Sequence, residues 1–255
     1  MGSAQRARAF SVIELVLVIV IIMSLFALAL PMLGSTREEA KRLETISKLR
    51  QHAGVIAMYA GDHRDLLPAY TDPDATQTVL RVGGRAFLLR GYFDGKSLWH
   101  AALADLYYDG LFGSEVFGPR GYYQGTTYSP FWITLTSRAR DAFWDPKTRG
   151  GREQFKAMGI SDVRFPSAKG LFWDRTANGR MYSPELGRSE FLDPPERRRH
   201  PTAFFDGRAG SFRPHQFGPF MIDGVGWWNP WTHPTNAASP VVHTIGGLGG
   251  RDVVD

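Results

Sequence analysis

There is no cysteine among the 255 residues, which removes disulfide staples, thiolate metal sites and cysteine nucleophiles together. Three catalytic signatures are missing as well: a Gly-x-Ser-x-Gly elbow, a Gly-x-x-x-x-Gly-Lys-Ser/Thr phosphate loop and a His-Glu-x-x-His pair. Gly246-Gly247-Leu248-Gly249-Gly250 is glycine-rich, but no helix pattern follows it, so it reads as a flexible tail rather than a nucleotide cradle. From Leu15 to Gly34 charge is absent, a run of about twenty residues, enough to cross a bilayer core as a helix. Disorder is excluded by 43% hydrophobic and 22% charged residues. The net charge of +5 falls to +3 without residues 1–9, whose only charges are Arg6 and Arg8, so no nucleic-acid footprint is expected.

What is present concentrates at the N-terminal end, in RARAFSVIELVLVIVIIMSLFALALPMLG, residues 6–34. Glu14 interrupts the apolar run near its start. A carboxylate inside such a run is costly in lipid, by roughly 2.5–3.5 kcal/mol on insertion scales, and calls for a neutralising partner. Residues 1–34 admit a secretory signal peptide cut after Ala27-Leu28-Ala29, a plain single-pass anchor, or a signal processed before the apolar run. An acid inside the apolar core argues against the first.

Ala9-Phe10-Ser11-Val12-Ile13-Glu14 resembles the processing site of type IV pilins and type II secretion pseudopilins. That resemblance implies cleavage between Ala9 and Phe10 by a prepilin peptidase, N-methylation of Phe10, and Glu14 as the fifth mature residue. Pro31 then falls twenty-second, where many pilins also carry proline. Ala9 departs from the family's usual glycine. The physical logic stands beside the resemblance: a freed α-amine on Phe10 is cationic near neutral pH, and it can meet the Glu14 carboxylate of a neighbouring copy. Each group relieves the other's desolvation and fixes the axial register. Arg6 and Arg8 hold the precursor's leader on the cytoplasmic side.

Beyond Leu33 a charged amphipathic stretch places Ala40, Leu43, Ile46, Leu49, Ala53, Ile56 and Ala60 at three- and four-residue steps. Glu38→Arg42 and Glu44→Lys48 are expected i,i+4 pairs, and Gly61 is the expected stop. A second short helix is expected over 97–108, ended by Asp109-Gly110. Strands are expected at Phe131–Thr136 and Gly170–Trp173, with a hairpin pairing Ala203–Phe205 and Ser211–Arg213 around Asp206-Gly207. Tyr59 to Pro68 reads as a polar turn. The expected class is α+β, a long N-terminal helical spine, transmembrane then amphipathic, packed on an antiparallel β-sheet head. The divisions are a leader at 1–9, a transmembrane and assembly helix at 10–34, its amphipathic continuation at 35–61, and a globular head at 62–255. Pro31 and Gly34 mark the expected bend or local melting point of the spine.

The order of short elements in the head, ending in Phe204-Phe205-Asp206-Gly207 after His200, is similar to that of the large pilin-like proteins of planctomycetes and related bacteria. Other clusters carry weaker chemistry. His200, Asp206 and His215 are a candidate metal set, and Asp223, Asp252 and Asp255 are material for a calcium loop. Arg197, Arg198 and Arg199 form the densest basic run, and Trp227, Trp228 and Trp231 the densest aromatic one. These are candidate ligand surfaces, with an exposed turn and a sealed core or subunit contact as their plainer readings.

The resemblance thus implies a structural subunit, not an enzyme: an inner-membrane, single-pass protein with its head outside the cytoplasm, incorporated into a filament in the periplasm or at the cell surface. Its implied partners are a prepilin peptidase, an inner-membrane platform protein, sister pilins or pseudopilins, and membrane lipid. No cofactor is implied beyond that calcium. Two alternatives remain from the residues alone, a membrane-tethered module binding carbohydrate or another polyanion, and a secreted enzyme released after Ala29.

Overall fold

The computed structural model describes residues 11–253 except 69–73, 75–76, 83, 90–91, 94, 112–114, 120–128, 146, 175–179, 184–187, 192–198, 214–215, 218–240 and 242–243; for 28–33, 35, 85, 115, 180–183 and 188–191 the backbone alone is described. Two compact units divide the chain, residues 1–43 and 44–255.

Helix α1 (Val12–Asp62) starts in the first unit. Every side chain described from Ser11 to Ala27 is exposed. Among the described residues no helix is long and apolar enough to cross a membrane. The helix is continuous through Pro31 and Gly34 rather than locally melted, because a proline removes one hydrogen bond while the turns on either side carry the ladder past it. Glu38 pairs with Lys41 at 2.9 Å and Glu39 with Arg42, so the expected Glu38–Arg42 pair is replaced by two i,i+3 pairs.

In the second unit the same helix contributes a buried stripe of Thr45, Leu49, His52, Ala53, Ile56 and Ala60. Burial begins later than the periodicity suggested: Leu43 is 57% exposed and Ala40 lies open to solvent as well. The expected Glu44–Lys48 pair is present at 3.1 Å. The helix ends one residue past Gly61. The Asp65 N–H donates back to the Ala60 carbonyl at 2.7 Å, and the reversal is taken by Arg64 and Asp65, both left-handed (φ 56° and 70°), rather than by the glycine. The segment from Tyr59 to Asp62 is thus helix, not turn.

Four short strands build the sheet behind this stripe. They are β3 (Phe131–Ile133), β4 (Gly170–Asp174), β7 (His200–Phe204) and β8 (Ala209–Phe212), antiparallel in that order. Alternation of side chains sends Phe131, Ile133, Phe172 and Ala203 toward Leu49, Ala53 and Ile56 of α1. Trp132 and Trp173 go to the opposite face, where Phe143, Trp144 and Val241 cover them. A bulge between Gly170 and Phe172 shifts the β4–β7 register. Strand β3 is shorter than expected because the chain turns into a 3-10 helix at Thr136–Arg138. The expected second helix appears as a 3-10 turn (Trp99–Ala102) running into α2 (Ala104–Tyr107), with Asp109 and Gly110 both left-handed behind it. Two hairpins stand apart from the sheet, β1 (Thr78–Val82) with β2 (Arg85–Leu89), and β5 (Arg180–Ser183) with β6 (Arg188–Phe191). The chain is therefore α+β with antiparallel sheets.

Candidate functional site at the start of the first helix

Residue Ser11 is the last before α1, and its side chain and that of Glu14 both accept from backbone N–H groups at the helix start. The Ile13 N–H donates to Ser11 Oγ at 3.3 Å, and the Ser11 N–H donates to Glu14 Oε2 at 2.9 Å. This is a capping-box arrangement, Ser-x-x-Glu, in which the serine oxygen takes the second rather than the third helical N–H, and it satisfies two of the N–H groups that a helix start leaves without partners. A carboxylate in the first turn also faces the positive end of the helix dipole. Glu14 therefore has a local task that the sequence reading did not assign, although the Ser-x-x-Glu spacing that signals it was in plain view.

The box uses little of the carboxylate. An ionised carboxyl group accepts about four hydrogen bonds, and Glu14 is exposed, so it retains capacity for a cation brought from outside. Around it stand Val12 and Ile13, 76% and 79% exposed, with Leu15 to Phe26 continuing the uncovered apolar surface. Ala9 and Phe10, the expected processing residues, lie outside the described residues. Gly34 is exposed in mid-helix with open space where a Cβ would stand, and of Pro31 only the backbone is described.

The other expected sites separate. Arg197, Arg198, Trp227, Trp228 and Trp231 lie outside the described residues; Arg199 is exposed immediately before β7. His200 is buried with its ring stacked on Trp173, 5.5 Å between centroids. Asp206 sits exposed in the β7–β8 turn and accepts the Arg208 N–H at 3.0 Å. His215 falls outside the described residues, and among those described no group of three His, Asp or Glu could hold a metal. Asp252 is not calcium material. It is 1% exposed and bonded to Lys169 at 3.0 Å. Its calcium partners Asp223 and Asp255 also lie outside the described residues.

Two buried histidines were missed by sequence reasoning. His52 on α1 is 2% exposed; its Nε2 lies 2.9 Å from the Val116 carbonyl, and its Nδ1 lies 2.6 Å from the Tyr108 hydroxyl. A carbonyl only accepts, so Nε2 carries the proton and Nδ1 receives the tyrosine O–H. Burial, foremost, lowers His52 to about 4, with the Val116 hydrogen bond opposing and Lys48 assisting. His100, fully buried against Phe117, is lowered to about 3 by burial and then by His52. Where α1 ends, Tyr59, Asp62, His63, Arg64, Leu66 and Leu67 line a shallow open pocket of about 350 Å³. The Tyr107 hydroxyl donates to Asp62 at 2.6 Å, and that bond, more than burial, raises Tyr107 to about 12. No protein-family model matches this chain, and no curated protein or solved structure matches it either.

Proposed function

We propose that the chain is a pilin- or pseudopilin-like structural subunit, assembled through its N-terminal helix after cleavage between Ala9 and Phe10. In this reading a prepilin peptidase trims and N-methylates Phe10, and an inner-membrane platform protein collects the subunits. Residues 10–33 of many copies then bury one another in lipid and in a filament core. The head stays outside the cytoplasm, and no catalytic step is involved.

One observation carries the reading: an uncovered apolar surface along α1 from Val12 to Phe26, interrupted by a single acid, Glu14, in the first turn. A helix apolar on all sides needs lipid or other protein around it. Apolar burial alone would be served better without the acid, so the acid implies a cationic partner in the buried state. The capping box holds that carboxylate on the N–H of Ser11, the residue next in sequence to Phe10, whose amine cleavage would expose.

The box also supplies the decisive variant. Glu14→Gln keeps a side chain able to complete a capping box but removes the charge, whereas Glu14→Ala removes both. Filament or sheared-surface fractions should lose both variants to a similar extent, with the precursor still made and membrane-bound. If Glu14→Gln is incorporated like the native chain, Glu14 serves only the helix cap and the charge-pairing role fails. N-terminal sequencing of the native protein should begin at Phe10. A chain retaining residues 1–9, or beginning at Leu30, would refute the processing scheme.

A further inference from the structure

Lys169 and Asp252 stand 83 positions apart and meet inside the head, 0% and 1% exposed. Their backbones are clamped side by side: the N–H groups of Asp252 and Val253 both donate to the Ala168 carbonyl, at 2.9 and 3.2 Å. Lys169 Nζ lies 3.0 Å from Asp252 Oδ2. Thr244, itself fully buried, places its hydroxyl between the two, accepting from Lys169 Nζ and donating to Asp252 Oδ1. The Gly170 N–H donates to Oδ2 at 2.8 Å. Glycine is required there, since a Cβ on residue 170 would stand 3.3 Å from Oδ2 and 2.7 Å from Val241 Cγ2.

An ion pair in so dry a place is poorly supported, because both charges lose their hydration. Burial, the largest influence on each group, pushes the Lys169 amine down and the Asp252 carboxyl up, against the mutual attraction that favours the charged forms. Both shifts favour the neutral pair, reached when the ammonium passes a proton through the Thr244 hydroxyl to Asp252 Oδ1. In that neutral form an amine and a carboxylic acid lie in hydrogen-bond contact, Nζ 3.0 Å from Oδ2, with both side chains buried.

We propose that Lys169 and Asp252 condense into an intramolecular isopeptide bond, with Thr244 as proton relay and the Gly170 N–H as the donor to the carbonyl oxygen. The Nζ lone pair attacks Asp252 Cγ, and the charge developing on Oδ2 is met by the Gly170 N–H. One proton leaves Nζ for Thr244 Oγ1, which passes its own proton to Oδ1. The Cγ–Oδ1 bond breaks, and Oδ1 departs as water carrying the carboxyl proton and the relayed one. An amine and a carboxylic acid become an amide and one water, with no oxidant or co-reactant. The product ties the segment around Asp252 to the start of β4, a covalent staple in a chain without cysteine. The bond is independent of the assembly role, since all four residues lie in the second unit.

Intact-mass measurement on the purified full chain, denatured, together with N-terminal sequencing and a tryptic digest, tests this directly. The mass should fall one water molecule below that of the observed sequence with the N-methyl group found at its start, and the digest should contain a branched peptide joining Lys169 to Asp252. Full mass with the two residues on separate linear peptides overturns the proposal. Lys169→Met should restore the missing water; if the deficit persists in that variant, dehydration lies elsewhere and the proposal falls. Where Lys169→Met does not fold, the native digest decides alone. Thr244→Val should leave a large uncondensed fraction in freshly made protein, and complete condensation in that variant would remove Thr244 from the mechanism.

Discussion

Lowering the pH from about 7.5 to about 5 should remove about 4 kcal/mol of stability from the head through His52 and His100 alone. Both are neutral in the fold, with pKa values of about 4 and about 3 against 6.5 in an unfolded chain. The unfolded chain therefore takes up two protons across a range in which the folded one takes up almost none. This stabilisation is complete above pH 6.5 and is lost as the pH falls through 6.5 toward the folded values. At pH 5 each site contributes a loss of about 2 kcal/mol, since one pKa unit is worth about 1.4 kcal/mol. Typical domains have about 5–15 kcal/mol in all, so the loss is large, and most carboxylates with ordinary pKa values are still ionised at pH 5. Urea unfolding followed by tryptophan fluorescence at several pH values measures it, with the m-value as a check that the transition is unchanged. His100→Leu should roughly halve the slope of stability against pH. A midpoint that stays flat from pH 7.5 to 5, or rises, would refute the assignment of two buried neutral imidazoles.

Two substitutions test the packing. Ile56→Ala deletes a fully buried side chain that α1 presses among the buried side chains of the sheet, and should cost about 2–5 kcal/mol by denaturant titration; less than 1 would mean the helix does not pack there. Gly170→Ala drives a methyl into Val241 and should lower stability by about 1–3 kcal/mol, readable as a drop in the thermal midpoint, and no drop would show that the close approach is not real.

How far the sequence foretold all this depends on the range of each interaction. The hairpin at Asp206-Gly207 was legible because its turn chemistry is local, but its strands are His200–Phe204 and Ala209–Phe212, both begun earlier than expected and leaving Phe205 and Arg213 outside. Strand β4 was found almost in full from its apolar run. The β1–β2 hairpin around Gly84 was overlooked, since Val79 and Leu88 are apolar yet exposed and blur the alternation. On α1 the three- and four-residue rhythm located Leu49, Ala53, Ile56 and Ala60. Periodicity alone did not reveal where the neighbouring structure begins to cover the helix, so Ala40 and Leu43 were assigned to the buried face too early. The Ser11–Glu14 cap spans only four residues and is as local a signal as the hairpin turn. Lys169, Thr244 and Asp252 are another matter: each is unremarkable in its own neighbourhood, and only the folded chain brings them together.

The stripe along the second part of α1 has a consequence for how its length can vary. Leu49, His52, Ala53, Ile56 and Ala60 face one side because about 3.6 residues complete a turn. One extra residue between His52 and Ile56 would swing the later anchors through about 100°, aiming Ile56 and Ala60 at solvent while the imidazole stayed at its post. An insertion of a whole turn would restore the direction but lift the later anchors by about 5 Å. The spacing along this stretch behaves as the teeth of a key, tolerant of changes in its solvent-facing letters and intolerant of any change in their number.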